Sequence, residues 1–154
     1  MTPQRLYNKC AELFLCRKWI TIDEEVRSER TGKDGAYAVW FRDTVEADED
    51  LRNLSANSLD KKGIPGIILE ERFLMELKYF KEIGGHLDIK NITLCSGSRF
   101  SDGSVPRVDW HSGGLGVGWC NPGDSGDNLR SRREVSKAKE APVFWNFFCN
   151  NCLL

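Results

Sequence analysis

A single α+β domain is the fold class the sequence predicts, and three observations carry it. The chain has 154 residues, about the size of one compact domain, so it can bury a core without cofactors or disulfides. Residues 1–90 hold apolar side chains mostly at helical spacing, with turn signals between them. Residues 105–120 instead alternate apolar and polar types with period two, the pattern of half-buried strands. N-terminal helices are therefore expected to support a small, mostly antiparallel sheet. Within residues 1–154, an α-rich scaffold part (1–90), a β-rich part (91–136) and a tail (137–154) are distinguished.

Composition narrows the classes further. With 40% hydrophobic, 29% charged and 10% aromatic residues, the chain is an ordinary globular protein and not a disordered, collagen-like or coiled-coil one. The net charge of −1, from 22 basic and 23 acidic side chains, argues against a general polyanion binder, so nucleic acid is not an expected partner. No run of roughly 18 apolar residues occurs, and the start, Met1 to Lys9, is polar; neither a membrane span nor a secretory signal is expected. A cytoplasmic location is the default. Cys152 stands third from the end and not fourth, so a prenylation motif is missed by one position. Cysteines 10, 16, 95, 120, 149 and 152 read first as free thiols, then as metal ligands, and last as disulfides.

Taken in order, Thr2 can cap a helix with Pro3 in its first turn, and Leu6, Cys10, Leu13 and Phe14 carry its apolar stripe to about Lys18. Trp19 to Ile22 could start a strand. Ala36 to Phe41 is a better strand candidate, following the turn signal Gly32-Lys33-Asp34-Gly35. The acidic stretch Glu46 to Asp50, with Leu51, Leu54 and Leu59 after it, suggests a short helix ending at Gly63. Pro65 to Ile83 is the clearest helix: Leu69, Phe73, Leu77 and Phe80 form one stripe, and Gly84-Gly85 terminates it. That helix should pack across a sheet.

The character changes near residue 91. Residues 91–133 contain no Lys, Glu, Gln or Met, although those types number 25 in the whole chain and about seven would be expected in such a window. Glycine is abundant there, with Ser, Asp, Asn, Arg, His and Cys set around an apolar frame of Val105, Val108, Trp110, Leu115, Val117 and Trp119. Arg107, Asp109 and His111 alternate with the first frame residues, and Gly116, Gly118 and Cys120 with the later ones. Two antiparallel strands joined at Ser112-Gly113-Gly114 follow, with the frame inward and the other set outward. A strand rarely places several glycines outward without a reason.

The stretches Val105-Pro106-Arg107-Val108-Asp109-Trp110, Leu115-Gly116-Val117-Gly118-Trp119-Cys120-Asn121-Pro122 and Asp127-Asn128-Leu129-Arg130-Ser131-Arg132 resemble the variable region of proteins diversified by diversity-generating retroelements. The resemblance covers residues 93–136. In that family, template adenines are copied inaccurately, so asparagine codons scatter into Gly, Asp, Ser, Arg, His, Cys and Tyr but cannot yield Lys, Glu, Gln, Met or Trp. The resemblance implies a C-type-lectin-like architecture in which frame residues build strands and scattered residues line a ligand-binding face. It implies no catalysis and no cofactor.

The candidate ligand-binding residues are Arg99, Ser101, Arg107, Asp109, His111, Cys120, Asn121, Asp124 and Asn128. They offer donors and acceptors together, flanked by polar loops at residues 96–104 and 123–128, which suits a protein or a small polar ligand. Ordinary solvated strand faces and glycine-rich turns contain the same residue types. Gly123-Asp124-Ser125-Gly126 echoes a serine-protease nucleophile segment, but Asp127 replaces the next glycine and His111 stands too near in sequence. Gly114, Gly116 and Gly118 lack the following helix a phosphate loop requires. Cys95 with His86 or His111 could pair as nucleophile and base, a combination that six cysteines offer by chance. An enzyme is not expected. The alternative is a zinc-stabilised or other α+β interaction module: Cys149 and Cys152 have the spacing for one zinc, with Cys10 and Cys16, or Cys95 and Cys120, as second pairs. The cluster Arg130, Arg132, Arg133, Lys137 and Lys139, interrupted by Glu134, reads as a solvated face.

Overall fold

The first helix, α1 (Pro3–Leu13), begins as the sequence predicts, with the Thr2 hydroxyl accepting the Arg5 amide at 3.3 Å and proline in the first turn. These details come from a computed structural model that describes residues 2–22, 26–135 and 144–149. The helix stops before the expected Lys18. Phe14 leaves it in an extended conformation, and its ring lies edge-on to Phe80, His86 and Trp110, with centroids 5.1, 5.0 and 5.7 Å away. Burial of one aromatic ring overrides helix propensity there. The released chain forms β1 (Cys16–Lys18) immediately, not at the expected Trp19, which is exposed.

Next come β2 (Val26–Ser28), a 3-10 turn at Gly32–Asp34, and β3 (Tyr37–Arg42) close to its expected position. The helix expected to end at Gly63 is divided. Glu49–Leu51 makes a single 3-10 turn, and Ser55 then caps α2 (Ala56–Lys61), its hydroxyl accepting the Ser58 amide at 3.2 Å. The third helix, α3 (Leu69–Ile83), starts later than Pro65. Its first amides are held from outside the helical ladder: the Glu71 carboxylate accepts from Ile68 at 2.9 Å and the Ser98 hydroxyl from Leu69 at 3.0 Å. Gly84 closes it with φ at 74°.

The main sheet contains five strands in the order β1, β7 (Gly114–Cys120), β6 (Val105–His111), β4 (Ile92–Leu94) and β8 (Leu129–Arg130). Pairings β1 with β7 and β4 with β8 are parallel, while the two between them are antiparallel. The sheet is therefore mixed: the scaffold half contributes β1 alongside the predicted hairpin, and β8 runs parallel to β4. β5 (Ser98–Phe100) pairs with β2, and the expected tail contributes β9 (Phe144–Cys149), antiparallel to β3. These elements form one small α+β unit.

Leu6 and Cys10 of α1 and Leu69, Phe73 and Leu77 of α3 pack with Val108, Leu115 and Val117 of the sheet. Burying each large aliphatic contributes about 1.5–3 kcal/mol, so this layer dominates the core. Met75, on another side of α3, meets Val39, Phe41, Ile67 and Leu87. A third cluster covers one end of the opposite sheet face: Leu51, Ala56 and Leu59 close over Leu94, Val105, Cys120 and Leu129.

The segment 96–104 is not the solvated polar loop that its composition suggests. Ser96, Ser98 and Ser104 are buried, and each hydroxyl is paired: Ser96 with Ser131 at 2.8 Å, Ser98 with Ser28 at 2.7 Å, and Ser104 with Asp102 at 2.6 Å. Gly97 lies against backbone here. A Cβ at this position would stand 2.8 Å from the Gly66 carbonyl oxygen and 2.8 Å from Ile68 Cγ2. Gly97→Ala should cost about 1–3 kcal/mol in thermal unfolding, because neither neighbour can move aside cheaply.

A buried ionic network ties the layers together. Asp88 Oδ1 accepts from the Ala47 amide at 3.0 Å and from Arg132 Nη2 at 2.8 Å; Oδ2 accepts from Arg72 Nε at 2.9 Å and from the Thr93 hydroxyl. Arg72 also donates to Glu76 at 2.8 Å, and Glu76 meets His86 Nδ1 at 2.9 Å. Arg132 donates to the carbonyls of Thr44 and Val45, both at 2.8 Å. Arg132 is thus a buried cross-link and not the solvated residue its basic neighbours suggest. Lys137 and Lys139 lie outside the described residues.

Candidate functional site

The β6–β7 hairpin sets the geometry of the candidate face. Ser112 and Gly113 take φ values of 49° and 72°, the positive pair that a tight two-residue turn needs to match strand twist. The register then places Arg107 opposite Gly118, Asp109 opposite Gly116 and His111 opposite Gly114, all on one face. Val108 with Val117 and Trp110 with Leu115 occupy the other face, toward the core.

The glycines have a structural reason. A Cβ at Gly116 would meet His111 Cε1 at 2.6 Å and Asp109 Oδ1 at 3.1 Å, and one at Gly118 would meet Arg107 Nε at 3.2 Å. The polar side chains of β6 therefore lie across β7, and glycine provides the floor beneath them. His111 Nδ1 stands 3.1 Å from Asp109 Oδ2. From the neighbouring strand, Arg17 donates to the carbonyls of His111 and Ser112, both at 3.2 Å, and its Cα is in register with Gly116. Sequence reasoning missed Arg17, since nothing near it signals that a three-residue strand joins this face.

The other candidate residues separate into distinct settings. Cys120 belongs by register to the outward face, but α2 covers it: it is only 8% exposed, and burial pushes its thiol up to about 11, with Asp124 raising it further and Arg107 and Arg99 opposing. Cys120 is corrected from surface residue to core. Trp119, expected in the inward frame, faces the inner side but lies beyond the core's edge and is 51% exposed. Period-two alternation identifies a face, not what covers it.

Arg99 uses its guanidinium internally, donating to the carbonyls of Ser96 and Ser98 at 2.6 and 2.8 Å and to Asp60 at 2.9 Å. Asn121 is exposed, and its amide donates to Asp124 Oδ2 at 2.8 Å, closing the turn after β7; the Pro122 carbonyl accepts from the Asn57 amide and anchors that turn to α2. Ser101 and Asn128 are exposed in separate loops, after β5 and before β8. The structure thus brings Arg107, Asp109 and His111 together, adds Arg17, and distributes the rest around them.

Cys95 is fully buried and its thiol is raised by burial, while His86 is engaged by Glu76. Cys10 is likewise raised, and Cys16 is pushed up to about 12, again by burial first. Peptide-level mass spectrometry after brief alkylation of the native protein at pH 8 should therefore find Cys10, Cys16, Cys95 and Cys120 unmodified, and rapid labelling of any of them would contradict the packing described. Among the described residues, no three His, Cys, Asp or Glu side chains gather to hold a metal, and no helix is long and apolar enough to cross a membrane. The Cys149 and Cys152 side chains lie outside the description. A cleft of about 750 Å³ beside Asn91 and Arg130 is lined by Glu46, Glu49 and Asp50, but these acids already engage the amides of residues 90 and 91, Arg130 and Arg42.

Comparison with protein-family models, with curated proteins and with solved structures finds no match for this chain.

Proposed function

We propose that the protein is a non-enzymatic ligand-binding protein of the kind diversified by retroelements, presenting changeable residues on a fixed, C-type-lectin-like frame. One observation carries this reading: within a single hairpin, a buried frame alternates with polar side chains that have no polar contact to the core. Val108, Leu115 and Val117 are fully buried, whereas among the described residues Arg107, Asp109 and His111 make no side-chain hydrogen bond or ion pair to the core. Replacing Arg107, Asp109 or His111 breaks no buried hydrogen bond or ion pair among the described residues. The missing Lys, Glu, Gln and Met of residues 91–133 point the same way, since miscopied asparagine codons cannot produce them. The ligand class is a protein or a small polar molecule, because Arg17, Arg107, Asp109, His111 and Asn121 mix donors and acceptors on a low polar surface.

The test is a display library randomised at Arg107, Asp109, His111 and Asn121. Most members should remain folded, with stability within about 1 kcal/mol of the parent, and panning against an arbitrary protein such as lysozyme should yield binders. A control library randomised at Val105, Val108 and Val117 should lose folded members almost entirely. Equal loss in the two libraries would show the outward set to be structural.

A further inference from the structure

We propose that a second site, formed by the start of α1, β2 and the Gly32–Asp34 turn, binds a phosphate group. A cleft of about 510 Å³ opens there, lined by Thr2, Arg5, Arg27, Ser28, Lys33 and Glu70 among others. It is of the size that small ligands occupy. Arg30 also borders it, but its guanidinium is engaged by Glu71 at 2.8 Å and Glu134 at 3.2 Å. Arg5, Arg27 and Lys33 are different: all three are exposed, and among the described residues none has an acidic partner.

Three cations that no described acid neutralises border this one cleft; they repel each other, and a dianion relieves that repulsion. Two arginines and a lysine supply enough donors for several oxygens of a tetrahedral anion, with the arginine forks suited to paired contacts. The amino end of α1 contributes in the same sense. Its first turn contains no acidic residue to offset the positive end of the helix dipole. Glu70 is the acid in the lining. Its carboxylate accepts from the Ser28 hydroxyl at 2.9 Å; burial raises its pKa, and that hydrogen bond opposes the shift.

Every lining residue precedes residue 91, in the half of the chain with ordinary Lys and Glu content. The ligand of this cleft is therefore constant whatever the outward sheet face carries, and the proposal stands without the diversified-face reading. The cleft has room for more than the anion, so a small phosphate ester and free phosphate are both sources of the recognised group.

Isothermal titration at low salt with inorganic phosphate and with glycerol 3-phosphate tests the site. The wild-type protein should bind at a one-to-one ratio with an affinity that falls as salt is added. The variant Arg5→Ser/Lys33→Ser/Arg27→Ser should keep the parent's thermal melt, because these side chains are exposed and have no acidic partner among the described residues, and should bind at least tenfold more weakly. Tighter binding of the ester assigns the ester as ligand; equal or tighter binding of free phosphate assigns the free anion. Absence of saturable binding of either probe up to about 10 mM, where even millimolar affinities register, would overturn the proposal. So would a folded triple variant that binds as the wild type does.

Discussion

Replacing Asp88 with alanine should cost the fold about 3–5 kcal/mol, because it strands two arginines in the interior. Arg72 and Arg132 are both buried, and both donate to this one carboxylate. Asp88 also holds the Ala47 amide and the Thr93 hydroxyl, so its loss unpins the 44–48 segment, β4 and the chain after β8 together. Among the described residues, Glu76 would remain as the carboxylate on Arg72, and Arg132 would keep backbone carbonyls and the Thr93 hydroxyl. Urea denaturation followed by tryptophan fluorescence measures the effect through the midpoint, with the slope reporting whether the native state stays compact. A loss under about 1 kcal/mol would mean that the network is dispensable. Leaving one partner unpaired is the damaging event, so replacing Arg72 alone by methionine should cost less than removing Asp88.

The two tryptophans of the hairpin should differ sharply although register puts both on the same face. Trp110 stacks on His86 with centroids 3.3 Å apart and planes at 7°, and Phe14 closes against it from the side. Trp110→Ala should cost about 3 kcal/mol, toward the lower end for a large aromatic because the ring is only half-buried. Trp119 is half-exposed beyond the core's edge, and Trp119→Ala should stay within about 1 kcal/mol of the parent. Thermal melts of the two variants side by side decide the matter; equal losses would show that the core extends to Trp119.

Local signals carried much of the fold. Thr2-Pro3, the Leu69-Phe73-Leu77 stripe with Gly84, and the alternation around Ser112-Gly113 each mark an element through interactions within a few residues, and each element is present. What was illegible depends on distant partners. Phe14 ends α1 for the sake of Phe80, His86 and Trp110, and β1 exists because β7 offers an edge to pair with. The buried serines of residues 96–104 look like a loop until Ser28, Ser131 and Asp102 are seen to pair with them. The same limit governs the candidate face. Arg107, Asp109 and His111 were legible from period two alone, whereas Cys120 required knowledge that α2 lies over it and Arg17 required the β1–β7 pairing.

The most direct test of the diversified-face proposal is to sequence the genomic DNA downstream of the gene. Expected is a near-copy of the segment encoding residues 99–132, beside a reverse-transcriptase gene, differing only at adenines of the copy, with those differences falling on codons for outward-facing residues such as Arg107, Asp109, His111 and Asn121 and sparing Val108, Trp110, Leu115, Val117 and Arg132. A flanking region without such a copy, or a copy whose differences fall equally on the buried frame, would contradict it.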